Sequence, residues 1–75
     1  MREEQKFLQL VSKTFGVPED SISLSSTPDD IVQWDSMAHL RLVLEVESVY
    51  GVHIPIEKIG ELKKIMDFYC YVEQR

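Results

Sequence analysis

Apolar residues recur at helical spacing in the first part of the chain. Between Glu3 and Phe15 they fall three and four positions apart, and Gly16 follows at the point where a left-handed residue commonly ends a helix. This pattern predicts a first helix over residues 3–15. Its apolar positions are Phe7, Leu8, Leu10, Val11 and Phe15.

Residues 17–34 have the composition of a loop, with two prolines, three aspartates and a cluster of Ser and Thr. A loop of this length is uncommon in a compact domain unless its own side chains anchor it. Four isolated apolar residues are expected to serve as anchors: Ile22, Leu24, Ile31 and Val32. A one-turn helix over 28–31 is compatible with this segment, because Thr27 can cap it and Pro28 suits its first position.

Residues 36–50 are predicted to form the second helix, because no Gly or Pro interrupts them and Gly51 follows. This helix has more apolar residues than one core-facing side needs. One stripe is expected to pack on the other helices: Leu42, Val43, Val46, Val49 and Tyr50. A second stripe faces another direction: Met37, Leu40 and Leu44. Two interpretations of the second stripe remain open, burial of the helix on two sides or an exposed docking surface with a charged rim.

The last part of the chain predicts two more helices. Pro55 suits the first turn of a short third helix over 56–59, which stops near Gly60. One side of a final helix carries Leu62, Ile65, Phe68, Tyr69 and Val72. The expected fold is all-α, a small bundle of three main helices plus one short helix with a long first loop, forming a single domain over residues 1–75.

Length and charge narrow the classes of function. A chain of 75 residues buries only a thin core, and its small stability leaves little room for an elaborate catalytic cleft. With 13 acidic and 8 basic residues the net charge is -5, so a nucleic-acid backbone would repel the chain. A helix-turn-helix DNA reader is disfavoured as well, since the second helix is net acidic. A protein with a basic docking face is the more natural partner.

The cysteine content and the hydropathy favour a cytoplasmic location. The single cysteine, Cys70, excludes an internal disulfide, and its aromatic and aliphatic neighbours indicate a packing role. No signal-peptide pattern stands at the N-terminus, and no segment has the apolar length that crosses a bilayer.

The residues with catalytic or metal-binding chemistry do not form a known constellation. His39 and His53 have no Cys or carboxylate at metal-ligand spacing, and no Gly-rich loop precedes a helix. The loop aspartates Asp29, Asp30 and Asp35 are interpreted as caps and turn residues. We therefore predict neither a catalytic site nor a metal site.

The start of the second helix is the candidate site. Asp35-Ser36 before an apolar run is, by itself, an ordinary helix start. However, a serine in the first turn, reached by a long loop, can present its hydroxyl to solvent. A phosphodiester there would face unpaired backbone N–H groups and the positive end of the helix dipole, which favours the anion by about 0.3–1 kcal/mol. The pattern suits a phosphate ester on Ser36.

These residues resemble the acyl carrier protein family across essentially the entire chain. The family motif, Asp-Ser-Leu at the start of the second of four helices, stands here as Asp35-Ser36-Met37. Three further landmarks match: Phe15-Gly16-Val17 at the end of the first helix, Tyr50-Gly51-Val52-His53-Ile54-Pro55 after the second, and Lys58-Ile59 in the third.

The resemblance implies a carrier and not an enzyme. Ser36 would carry 4′-phosphopantetheine, added from coenzyme A by a separate phosphopantetheinyl transferase, with Asp35 helping to hold the magnesium ion of that transferase. The thiol of the arm would present acyl, aminoacyl or hydroxyacyl thioesters to acyl-loading and acyl-transferring enzymes, and the protein is expected to be a monomer. The same resemblance assigns partner recognition to Asp35, Met37, Leu40, Arg41, Leu44, Glu45, Glu47 and Ser48.

The sequence also departs from the family pattern in its second helix. Carriers of fatty acid synthesis are usually strongly acidic there, whereas Arg41 occupies a position that an acid often fills. The run Gln33-Trp34-Asp35-Ser36 with His39-Leu40 looks more like discrete carriers of specialised pathways, which make polyketides, aminoacyl or hydroxyacyl units, or decorate polysaccharides. General fatty acid biosynthesis and an unmodified acidic interaction module remain the alternatives.

The residues expected in the core also indicate what size of acyl group the protein would carry. The core positions are filled by bulky rings: Phe7, Phe15, Tyr50, Phe68 and Tyr69. Such rings leave little room between the helices. We therefore expect a short or polar acyl unit that stays mostly outside the bundle.

Overall fold

The computed structural model describes residues 2–74. The regular secondary structure in this range is helical. The α-helices are α1 (Arg2–Phe15), α2 (Ser36–Tyr50), α3 (Ile56–Ile59) and α4 (Ile65–Glu73), with a 3₁₀ helix at Glu19–Ser21. The predicted all-α bundle of three main helices and one short helix is confirmed.

Two glycines end α1 and α2 as the sequence predicted. Gly16 has φ of 71° and its N–H donates to the Ser12 carbonyl at 2.8 Å. Gly51 has φ of 66° and donates to the Glu47 carbonyl at 2.9 Å. Residues with a side chain rarely adopt this left-handed conformation, so a glycine at each position lets the chain leave the helix without strain.

The core lies where α1, α2 and α4 meet. Its fully buried side chains come from all three helices and from the segment before α3: Phe7, Val11, Leu42, Val46, Ile54, Ile65, Phe68 and Val72. Aromatic rings fill much of the space, with ring centroids 5.1 Å apart for Phe7 and Tyr69 and 5.4 Å apart for Phe15 and Trp34. Full burial of each large apolar side chain stabilises the fold by about 1.5–3 kcal/mol, so these contacts dominate the packing energy.

The core-facing stripe of α2 is narrower than predicted. Leu42, Val43 and Val46 are buried, and Tyr50 is half-buried against Phe7. Val49 is 58 % exposed, so its predicted burial is wrong. At about 100° per residue Val49 lies on the edge of this stripe, at the rim of the depression between α1 and α2.

The first loop is anchored mostly as predicted. Ile22 and Ile31 are buried and Leu24 is half-buried, but Val32 is 92 % exposed and was wrongly predicted to be an anchor. A turn in which the Trp34 N–H donates to the Ile31 carbonyl at 3.0 Å directs Val32 outward. Trp34 is buried in its place.

The one-turn helix over 28–31 does not form. The Asp30 N–H donates to the Thr27 carbonyl in an isolated turn, and the Thr27 N–H and hydroxyl both donate to the Asp30 carboxylate. Thr27 thus acts as a donor to Asp30 and does not cap a helix. The helical turn of this loop lies earlier, at Glu19–Ser21.

Carbonyl groups of the first loop cap the start of α4. The Met66 N–H donates to the Leu24 carbonyl at 2.8 Å, and the Ile65 N–H donates to the Ser26 carbonyl at 3.1 Å. These bonds satisfy amides that have no partner inside the helix. Leu62 therefore lies before α4 and not in it, although it is buried as predicted.

Cys70 is exposed on α4, so its predicted packing role is wrong, because its position faces away from the side that buries Phe68 and Val72. Within residues 2–74, no helix combines the length and the apolar character needed to span a membrane.

Candidate functional site

Asp35 fixes the start of α2. Its backbone is extended, with φ of -103° and ψ of -172°, and its Oδ1 accepts a hydrogen bond from the Ala38 N–H at 2.9 Å. The Asp35 carbonyl accepts the His39 N–H at 2.9 Å. This N-cap makes Ser36 the first residue of the helix, with its side chain exposed.

Ser36 differs from the other serines in its hydrogen bonding and its position. Five serine hydroxyls form hydrogen bonds within the described part of the chain: Ser12, Ser21, Ser23, Ser25 and Ser26. Ser36 and Ser48 are exposed without such a bond. Ser48 lies near the carboxyl end of α2, where the helix dipole disfavours an anion, whereas Ser36 lies at the positive end. Ser36 is therefore the serine best suited to a phosphate ester.

A depression of about 310 Å³ lies beside Ser36, lined also by Pro28, Trp34, Asp35 and His39. The Trp34 Nε1–H donates to His39 Nδ1 at 3.0 Å. Because Nδ1 accepts, the ring proton is on Nε2, which donates to the Ile59 carbonyl at 2.8 Å. His39 thus links the first loop, α2 and the end of α3.

The outward stripe of α2 is exposed. Met37, Leu40 and Leu44 are 69 %, 51 % and 65 % accessible, which favours the docking-surface interpretation over burial on two sides. Arg41, Glu45 and Ser48 are exposed on the same helix. We call the set Met37, Leu40, Arg41, Leu44, Glu45 and Ser48 the α2 face.

One flank of the α2 face borders an apolar groove of about 320 Å³ between α2 and α3. Its apolar lining consists of Leu40, Val43, Leu44, Ile54, Ile56 and Ile59. Ile56 is 83 % exposed, so the apolar surface continues from α2 onto α3.

The other flank borders a depression of about 390 Å³ between α1 and α2, lined by Leu10, Lys13, Thr14, Arg41, Glu45 and Val49. Two cationic side chains, Lys13 and Arg41, lie on this flank beside the carboxylate of Glu45. The two flanks of the α2 face therefore differ, one apolar and the other charged.

Glu47 borders the α2 face, since it lines the groove beside Leu40 and Leu44. Its side chain is 26 % exposed, and its Oε2 accepts the Ile54 N–H at 2.8 Å while lying 3.6 Å from His53 Nδ1. This carboxylate ties the segment after α2 to the helix. The sequence predicted Glu47 as part of the charged rim of a docking surface, and the structure shows in addition that its carboxylate accepts a backbone hydrogen bond.

Sequence reasoning missed the role of His39. Trp34 and His39 are five residues apart and Ile59 is twenty residues further on, so no local pattern indicates their bonds. Within residues 2–74, no group of three or more His, Cys, Asp or Glu side chains is arranged so that it could hold a metal ion.

Comparisons with known proteins cover nearly the whole chain. No protein-family model matches it. It is 27 % identical over 71 residues to the acyl carrier protein of Rickettsia bellii, covering 95 % of this chain and 83 % of that protein. It is 28 % identical over 78 residues to the acyl carrier protein of Kineococcus radiotolerans, covering 99 % of this chain and 96 % of that protein. It is 29 % identical over 68 residues to the acyl carrier protein of Tropheryma whipplei, covering 91 % of this chain and 83 % of that protein.

Proposed function

Since these similarities support assignment of the chain to the acyl carrier protein family, we propose that it carries acyl groups as thioesters on a 4′-phosphopantetheine arm attached to Ser36. The observation that carries the proposal is the exposed hydroxyl of Ser36 in the first residue of α2, directly after the capping Asp35. The chain itself catalyses no step in this proposal, and its partner enzymes make and break the bonds.

The surroundings of Ser36 suit a phosphodiester. The side chain is exposed next to an open depression, and the positive end of α2 favours an anion there. In the modification, the Ser36 oxygen forms a P–O bond to the pantetheine-bearing phosphate of coenzyme A, adenosine bisphosphate leaves, and the hydroxyl proton passes to a base of the transferase. When bound, the arm supplies the thiol that holds the acyl group.

Asp35 has a second role in this proposal. The structure records one hydrogen bond to its carboxylate, through Oδ1. The exposed carboxylate beside Ser36 can therefore help to hold the magnesium ion of a phosphopantetheinyl transferase during modification. This role rests on the family resemblance and on the position of Asp35.

The α2 face is the proposed surface for acyl-loading and acyl-transferring enzymes. A partner would need an apolar contact for Leu40 and Leu44 and a carboxylate opposite Arg41. The cation at this position favours a specialised pathway over general fatty acid synthesis, whose partners meet more acidic carriers. We further propose that the protein acts as a monomer in the cytoplasm.

Loading of the purified protein tests the proposal. Apo protein incubated with coenzyme A, magnesium and a broad-specificity transferase should gain the mass of one arm, and Ser36→Ala should gain none. Ser48→Ala is the matched control, since that serine is exposed on the same helix, and it should load like the parent. Unchanged parent mass, when a control carrier is modified, would point to an unmodified interaction module instead.

A further inference from the structure

His39 lies between the depression beside Ser36 and the buried core. It lines that depression, and its ring meets the fully buried Phe68 edge-on with a centroid distance of 5.4 Å. The imidazole is also nearly coplanar with the Trp34 indole, at a centroid distance of 6.0 Å and an interplanar angle of 18°, as the N–H···N hydrogen bond between the two rings requires. Of the residues that line the depression, Trp34 and His39 contact Phe68 through their rings, and His39 is the more exposed of the two.

The His39 ring is held in this position from two sides. Its Nδ1 accepts the Trp34 indole N–H, and its Nε2 donates to the carbonyl of Ile59 at the end of α3. Both bonds are partly buried, so rotating the ring out of the way leaves an indole donor and a backbone acceptor without these partners. These bonds hold the ring between the depression and Phe68.

The space behind His39 is filled by other rings. Trp34 contacts Phe68 with a centroid distance of 6.1 Å and Phe15 with one of 5.4 Å. Trp34 and Phe68 are buried beside the imidazole, so the volume that His39→Ala frees would border both rings and would be apolar.

We propose that His39 determines cargo specificity in this carrier by blocking the path from Ser36 into the bundle, so that the attached acyl group stays outside the core. The inference rests on the proposed function, because it needs an arm on Ser36. It favours short or polar acyl units, since a long apolar chain that stays outside the core would remain largely in contact with water.

The test compares melting temperatures of holo and octanoyl forms. Transferase loading from coenzyme A or octanoyl-coenzyme A, checked by intact mass, produces both forms of the parent, His39→Ala and His53→Ala. His53→Ala is the matched control, because His53 is 83 % exposed and lines the apolar groove between α2 and α3, so this variant tests whether the groove, and not the site of His39, holds the chain. Burial of only two methylenes raises Tm by roughly 6–13 °C in a domain of this size. We expect octanoylation to raise Tm by less than about 2 °C in the parent and in His53→Ala, and by at least about 6 °C in His39→Ala.

The outcomes separate the two proposals. Absence of any mass gain would overturn the carrier function itself. Loading followed by a large rise in the parent, or by equally small changes in the parent and His39→Ala, would overturn only the role of His39. A purely structural role would lower Tm of the holo and octanoyl forms alike and leave their difference unchanged. If His39→Ala does not fold, NMR of the parent decides: the Phe68 ring signals should be the same in the holo and octanoyl forms, and a large change would refute the block.

Discussion

Replacement of Glu47 should destabilise the fold although the residue lies on the helix that carries the proposed docking surface. Glu47→Ala removes the acceptor of the Ile54 N–H, and Ile54 is only 2 % exposed. A hydrogen bond to a charged group contributes about 1.5–3 kcal/mol, and the 26 % exposure of the Glu47 side chain favours the lower end. The nearby His53 adds little, because its side chain is 83 % exposed.

Thermal unfolding gives the measurement. A loss of about 1.5 kcal/mol lowers Tm by roughly 6–12 °C in a domain of this size. Glu47→Gln should lose less, because its amide oxygen still accepts the hydrogen bond. Glu45→Ala is the matched control, an exposed acid on the same helix, and should change stability by no more than about 0.5 kcal/mol. Equal melting temperatures for Glu47→Ala and Glu45→Ala would refute the reasoning.

Three further predictions follow from the same geometry. Leu40→Asp and Leu44→Asp should slow acyl transfer by partner enzymes with Tm within a few degrees of the parent, and unfolding of both would show that these side chains belong to the core. Gly51→Ala should lower the free energy of unfolding, measured by urea titration, by about 1 kcal/mol or more, because φ of Gly51 is 66°. Gly60 has φ of -71°, so Gly60→Ala should be neutral or stabilising. Equal losses for the two variants would contradict this account. Arg41→Glu should raise the association rate with a basic transferase at low salt, and an unchanged rate would exclude Arg41 from the encounter surface.

The sequence was informative where local rules decide the structure. The bounds of α2 follow from uninterrupted helix-forming residues between Asp35 and Gly51, and Gly16 ends α1 through its own backbone freedom. The position of Ser36 depends on the same local signal, since the N-cap defines the first residue of the helix, whereas the choice of Ser36 as the candidate site also rested on the family resemblance. These features need no knowledge of distant contacts.

The rest depends on contacts between residues far apart in the chain. Val32 was expected to be buried and is exposed, because a turn orients that segment so that Trp34 packs against the bundle instead. Leu62 stayed outside α4 because carbonyls of the first loop cap the helix at Ile65. The link from Trp34 through His39 to the end of α3 could not be predicted either, since spacing along the sequence carries no signal for it.

Intact-mass analysis of the protein purified from its native host tests the central claim most directly. The account predicts a population heavier by one phosphopantetheine arm, with or without an acyl group, and tandem mass spectrometry should assign the added mass to Ser36. Protein that is entirely unmodified, from cells in which other carriers hold their arms, or an arm on any other residue, would contradict it.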